Sequence, residues 1–335
     1  MHFVKQNIFT IISWCIFAAL ISFGMSQANE LNRFSSASVR FDTPISGQTA
    51  YRARLYSVNN PDTFWPTFWH QDIMTIFANN RSATSPTILF SGDFGLVWPA
   101  TFVAGSQPSS IDEVGVALSE GLAYSLWGST DIVGMQANIA GEYRTVRGVF
   151  EGSQELFIIS FHIEDTAQYW TVAELSGGVL HPTRQDAEMF ALMSGMGMPN
   201  FVIMGGANAV SRGLSVLPFA IPIFYVILLG VCFIRRYYPI TATPILLGGC
   251  LLLAVTLPAL LNQLPPWIIP TRWGDFAFWG DIGTQAMDAL REFLALPPLL
   301  RDVEFRMGLV KQIAIFIPTI CVGIVACRTT VKYGE

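Results

Sequence analysis

Lysine is almost missing from this 335-residue chain: there are three, Lys5, Lys311 and Lys332, and each lies within a few residues of an apolar run. Charged residues of all kinds make up 13% of the sequence, about half the share usual in soluble domains. With 52% hydrophobic residues and a mean hydropathy of +0.45, the chain is too apolar for an ordinary soluble domain. Cysteine is scarce and wrongly placed for a disulfide scaffold. Cys15, Cys232, Cys250, Cys321 and Cys327 all fall in or beside apolar runs, so the polar block between the first two runs must be held by its core, and no metal-binding spacing can be built. That block, residues 27–213, has nine arginines against 17 acidic residues, a net charge of −8, which argues against nucleic acid or anionic headgroups as partners.

Chemical motifs are missing too. The sequence has no phosphate-binding G-x-x-x-x-G-K-[ST] loop, no G-x-S-x-G elbow and no H-E-x-x-H pair. His2, His70, His162 and His181 are scattered singly, and the acidic pairs Asp112-Glu113 and Glu164-Asp165 point apart on any regular element. No catalytic residue, metal site or cofactor is therefore expected, and ATP hydrolysis by a phosphate loop would have to come from a partner subunit.

What the chain does have is four charge-free apolar runs: Ile8 to Met25, Leu214 to Ile234, Ile245 to Leu261 and Ile313 to Ala326. Each approaches the length that crosses about 30 Å of hydrocarbon, the fourth needing Val310 to Gln312 or a snorkelling Arg328 to complete it. Placing Lys5, Arg235, Arg236, Arg328 and Lys332 in the cytoplasm makes four crossings consistent. The expected fold is a membrane protein with four transmembrane α-helices and a large α+β exterior domain between helices 1 and 2. Its parts are residues 1–28 as the first helix, 29–213 as the exterior domain, and 214–335 as three helices with an exterior link over 262–311. The first run also fits a signal peptide, with Ser26-Gln27-Ala28 as the cleavage site.

Within the exterior block, Asn29 to Ser38 reads as a flexible exit, and Val39 to Asn59 reads as strands with Arg40, Arg52 and Arg54 on a half-exposed face. Phe64 to Ala78 is aromatic-rich and helical in its second half, with Phe64, Trp65, Phe68 and Trp69 as core. Thr87 to Trp98 reads as a hairpin about Ser91-Gly92-Asp93. Glu155 to Glu164 and Tyr169 to Leu175 read as strands, Gln185 to Ser194 as helix, and Gly195 to Gly206 as an irregular return. Met189, Met193, Met196 and Met198 suit either an adaptable apolar surface or packing of the domain base against the bilayer. A mixed sheet with a few covering helices is the economical architecture.

Val116 to Phe150 carries the clearest local signals. Ser119 stands where an N-cap belongs, Glu120 adds negative charge to the first turn, and Leu118, Leu122, Ala123 and Leu126 form an apolar face before Gly128 stops the helix. Met135, Ala137 and Ile139 then alternate with polar residues, Ala140-Gly141-Glu142 supplies a turn, and Tyr143 to Phe150 is a second β-prone run. This order, with Ser119, Glu120, Leu122, Ala123, Gly128, Gly134, Gly141, Tyr143, Val146 and Gly148 at its fixed points and Phe102 to Glu113 as lead-in, resembles the periplasmic core domain of MacB/FtsX-like ABC-transporter permeases.

The resemblance spans Phe102 to Phe150 and implies a permease subunit in the cell membrane. Such subunits place one helix before and three after an exterior domain, pair with a like or unlike permease through the helices, and transmit motion from a cytoplasmic ATPase to that domain. The family's cytoplasmic coupling element would fall between the second and third runs. Here that link is only Arg235 to Pro244, where Pro239 and Pro244 disfavour a helix, so docking would rest on Arg235, Arg236, Tyr237 and Tyr238. A topology anchor with an aromatic belt is the plainer use of these four residues. The longer link, Asn262 to Lys311, holds Trp267, Trp273 and Trp279 and an amphipathic stretch over Asp281 to Leu296, suited to the outer leaflet or to capping the exterior domain. A non-transporting receptor or assembly factor that binds an envelope partner also fits the short coupling link, and a membrane-anchored enzyme is a third class without a motif behind it.

Overall fold

The structure, a computed structural model, describes residues 2–32, 37–109, 111–162, 164, 165, 167–178, 183–203 and 298–331, with isolated positions between 218 and 296. The chain divides into two units, one formed by residues 33–205 with Leu299–Asp302 and the other by the remainder. In chain order the described elements are α1 (His2–Asn32), β1 (Ala37–Ser46), α2 (Gly47–Asn59), β2 (Trp65–Ala78), β3 (Arg81–Ser91), α3 (Phe94–Val97), β4 (Phe102–Gly105), β5 (Gly115–Ser119), α4 (Glu120–Trp127), β6 (Gln136–Ile139), β7 (Glu142–Phe150), β8 (Phe157–Ser160), β9 (Tyr169–Ser176), α5 (Arg184–Met193), β10 (Phe201–Ile203) and α6 (Leu300–Val331).

In the α+β unit one ten-stranded mixed sheet runs β10-β1-β9-β2-β3-β8-β5-β7-β4. Because β6 pairs with both β7 and β2, the strands β2, β3, β8, β5, β7 and β6 close into a ring. Its interior holds Ile76, Val116, Leu118, Ile139, Val146 and Phe157, and α4 adds Leu122, Ala123 and Leu126. Closure removes two free strand edges and gives these side chains a shared apolar enclosure. Beyond the ring, β9, β1 and β10 extend the sheet as a wing. One face of the wing is covered by Ala50 and Ala53 of α2 and Ala187, Phe190 and Ala191 of α5. A third cluster includes Trp69, Phe90, Phe150 and Val172, with Leu299 and Leu300 packed against it.

Several expected elements take a different form. Val39 to Asn59 is not all strand: Ser46 ends β1, and its Oγ accepts from Thr49 N at 3.2 Å to cap α2. Gly47, Ala50, Ala53 and Ser57 then bury a narrow stripe of small side chains, so Arg52 and Arg54 sit on a helix. The second half of Phe64 to Ala78 is strand, because β2 pairs with β3 without a break from Phe68↔Ser91 to Ala78↔Arg81. Asn79 and Asn80 make that hairpin turn with φ of 50° and 60°, the left-handed geometry asparagine tolerates. Ile73 and Phe77, which mimic a helical stripe, are exposed on the strand. Of the four aromatic residues expected in the core, Phe64, Phe68 and Trp69 are buried, while Trp65 is exposed with Arg54 over its ring at 5.2 Å. Ser91-Gly92-Asp93 leads into α3, where Asp93 Oδ1 accepts from Gly95 N, and makes no hairpin. Residues 29–32, read as part of a flexible exit, continue α1.

Among the described residues, two helices are long and apolar enough to cross a membrane: Thr10–Leu31 in α1 and Leu300–Arg328 in α6. At 1.5 Å per residue even the shorter spans about 33 Å. A Cβ on Gly308 would meet Leu31 at 2.5 Å, one on Gly24 would meet Ile315 at 3.6 Å, and one on Gly323 would meet Phe17 at 2.7 Å. As the α1 partner moves back along the chain the α6 partner moves forward, so the two helices pack antiparallel, and glycine permits the close approach. The fourth apolar run is therefore part of a helix much longer than Ile313 to Ala326. The expected second and third crossings, the link at Arg235 to Pro244 and most of the amphipathic stretch lie outside the described residues.

Candidate functional site

The family-like residues come together as one substructure. Ser119 Oγ accepts from Leu122 N at 3.3 Å as the cap of α4 and from Leu156 N at 3.0 Å, so one hydroxyl both starts the helix and ties it to the approach to β8. Glu120 follows in the first turn, Leu122 and Ala123 are fully buried, and Gly128 ends α4 with φ 74°. Leu118 belongs to β5 and not to the helical face. Gly134 N donates to Val146 O and Val146 N to Met135 O, both at 2.8 Å, extending the β6–β7 hairpin beyond its strands. Ala140 and Gly141 form its two-residue turn with φ of 53° and 89°. A Cβ on Gly148 would strike Ser106 O and the Phe102 ring, which places β4 tight against β7. Tyr143 stands out from this set because it is 70% exposed. The motif thus builds half of the closed ring and carries no cluster of reactive groups. Among the described residues, no group of three or more His, Cys, Asp or Glu side chains could hold a metal ion.

Acid–base features of the domain are structural in kind. Arg147 Nε donates to Asp112 Oδ2, and that hydrogen bond is the leading cause holding the Asp112 carboxyl below the ordinary carboxylate range. Arg144 is buried against Phe161, with its guanidinium 4.7 Å from the ring, and donates to the carbonyls of Glu113 and Ser160. Burial lowers its pKa, with Glu142 opposing. Burial likewise lowers the pKa of His70, which lies edge-on to Trp170 at 5.7 Å. Met196 is buried, whereas Met189, Met193 and Met198 are exposed.

The most unusual chemistry in the α+β unit lies where the sequence reading named no site. Arg40 on β1 forms two hydrogen bonds to Asp302, Nη1 to Oδ2 at 2.7 Å and Nη2 to Oδ1 at 2.8 Å, a fork-on-fork ion pair. Beside it, Arg301 Nη1 donates to Glu174 Oε1 of β9 at 2.6 Å. Ser38 Oγ and Trp69 Nε1 donate to the same Glu174 oxygen at 2.8 and 3.1 Å. The four charged residues are each 7% exposed or less. β1 and β9 pair Ser38↔Glu174 and Arg40↔Val172, and β2 pairs Trp69↔Val172, so these polar groups project from one face of the wing. The start of α6 is fastened further by its backbone. Leu300 N donates to Gln71 Oε1 at 2.9 Å, Leu299 N donates to Asp302 Oδ2 at 3.2 Å, and both leucines pack on the third core cluster.

Charges surrounded by this much protein persist only when paired and hydrogen-bonded, and these are. Arg40, assigned from its alternation to a half-exposed face, is buried because its partner arrives from 262 residues away. The adjacent opposite charges of Arg301-Asp302 just before an apolar run, and a lone Glu174 inside a β-prone run, were the available signals. Neither says which residue answers it. Arg235, Arg236, Tyr237 and Tyr238, the candidate coupling residues, lie outside the described residues.

No protein-family profile and no curated protein sequence matches the chain. Solved structures do. The extracellular domain of the noncanonic ABC-type transporter YknZ from Gram-positive bacteria is similar at 11% identity and a TM-score of 0.39, covering 47% of this chain and 91% of that one. The periplasmic region of MacB from Actinobacillus actinomycetemcomitans is similar at 10% identity and a TM-score of 0.42, covering 51% of this chain and 88% of that one.

Proposed function

We propose that the chain is a permease subunit of the MacB/FtsX type: a four-crossing protein of the cell membrane whose α+β domain lies outside and receives motion generated by a separate cytoplasmic ABC ATPase. The observation that carries this reading is the family-like segment from Ser119 to Gly148. It folds as a continuous helix-and-hairpin substructure, in a domain that follows one helix of membrane-crossing length and precedes another in the chain. The antiparallel packing of α1 on α6 supports opposite directions of travel through one bilayer, with the basic ends at Lys5 and Arg328 on the same side. Arg235, Arg236, Tyr237 and Tyr238 would form the reduced contact with the ATPase, and a second permease copy or relative would complete the pair of membrane halves. The role is mechanical, and no catalytic residue or cofactor is assigned to this chain.

Copurification of the full chain in mild detergent tests the proposal. The expected result is stoichiometric recovery of an ATPase bearing a phosphate loop, with Arg235→Glu plus Arg236→Glu weakening the association. Intact association of that double variant would remove the proposed contact. Recovery of an extracytoplasmic partner through the exterior domain, with no ATPase in any preparation, would replace the permease reading with a receptor or assembly factor.

A further inference from the structure

The segment Leu299–Asp302 belongs to the α+β unit although the rest of that unit ends at Gly205. Its attachment is chemically specific in a way that burial alone does not require. Trp69, Val172, Leu299 and Leu300 already offer apolar packing there. Buried ion pairs exchanged for well-packed apolar residues are often neutral or even stabilising, so four charges at this position need an explanation other than adhesion.

Order supplies one. Arg301 and Asp302 are consecutive and of opposite sign, and they face residues of opposite sign on two neighbouring strands, Glu174 of β9 and Arg40 of β1. Slipping the segment by one position would carry Arg301 toward the place of Asp302, against Arg40, and separate each charge from its partner. Apolar side chains tolerate such a slip, whereas buried charges penalise it, and fixing register is the best-attested use of buried polar groups.

We propose that the crossed pairs Arg40–Asp302 and Glu174–Arg301 are a register lock. They fix the first turn of α6 on β1 and β9 so that displacement of the helix reaches the sheet without slip. Arg40, Glu174, Arg301 and Asp302 are thus positioning residues for the motion-transmitting role, and this inference rests on the permease reading for its purpose, though not for its geometry.

Hydrogen exchange on the full chain in detergent, read on peptides spanning residues 299–305, tests the lock whether or not an ATPase is ever recovered. A failed permease reading and a failed lock are therefore distinguishable. In the uncharged variant carrying Arg40→Met, Glu174→Gln, Arg301→Leu and Asp302→Asn, where amide oxygens at 174 and 302 still accept from Ser38, Trp69 and Leu299 N, the thermal midpoint is expected to stay near that of the natural chain while exchange in this segment rises about tenfold. Arg301→Lys, which keeps the order of the charges and every carboxylate acceptor, is expected to keep the natural protection. A folded four-residue variant with natural protection overturns the proposal. So does an Arg301→Lys variant that does not fold, or that folds but exchanges about tenfold faster in this segment than the natural chain. If the four-residue variant itself fails to fold, Arg301→Lys decides by the same criteria.

Discussion

Arg147 on β7 and Arg40 on β1 each hold an aspartate, yet the two pairs live in different solvents. The Arg147 side chain is 42% exposed and that of its partner Asp112 15%, whereas Arg40 and Asp302 are at 9% and 6%. Water screens the first pair and competes for its hydrogen bonds, so its net contribution is small. Protein surrounds the second, so its charges are tolerable only together, and loss of either strands the other. The same two residue types therefore decorate one end of the sheet and determine the integrity of the other.

The largest separation between the two regions should come from deleting one buried partner. Asp302→Ala leaves Arg40 unanswered and removes the acceptor for Leu299 N. It is expected to destabilise the α+β unit by about 3–5 kcal/mol, measured by denaturant unfolding followed through tryptophan fluorescence. Arg40→Met combined with Asp302→Leu should recover most of that loss, and failure to recover it would mean that the charges themselves supply the stability. Next comes a test of the ring interior. Leu122→Ala, at a position with no exposed surface, should cost about 3 kcal/mol by cavity formation in the same assay. A smaller effect follows at the cap. Ser119→Ala removes an acceptor used by both Leu122 N and Leu156 N, and should cost about 1–2 kcal/mol.

The smallest effect belongs to the exposed pair. Arg147→Ala should change stability by less than about 1 kcal/mol at neutral pH. Its signature is instead pH dependence. Because Arg147 lowers the Asp112 pKa, folding gains a contribution that is complete above the ordinary carboxylate value of about 4 and is lost as pH falls through the depressed value. Unfolding midpoints taken between about pH 2 and 5 should therefore fall less steeply in Arg147→Ala than in the natural chain. Equal slopes would show that Asp112 draws its low pKa from elsewhere.

These regions also differ in how far they could be read in advance. α4 and the β6–β7 hairpin were legible because their rules are local: a serine three residues before the amide it caps, a glycine that ends the helix, a two-residue turn between alternating runs. The closure of the ring by β6 on β2 was not legible, since nothing in Gln136 to Ile139 specifies Ile76 and Phe77 as a second partner. Nor was the hairpin of β2 and β3, where the stripe of Ile73, Met74, Ile76 and Phe77 imitates a helix until pairing is known. The buried pairs are the extreme case, with partners 127 and 262 residues apart. Nothing in the sequence pairs Arg40 or Glu174 with residues so far along the chain, and only the folded chain does.

Sidedness decides whether one chain carries both an exterior domain and an interior coupling link. In a variant whose five cysteines are replaced by serine, Tyr143→Cys and Tyr237→Cys are labelled singly with a membrane-impermeant maleimide in right-side-out vesicles. The expected result is immediate labelling at position 143, which is 70% exposed on the α+β unit, and labelling at 237 only after permeabilisation. Labelling of both positions from the same side would contradict the arrangement on which the permease reading depends.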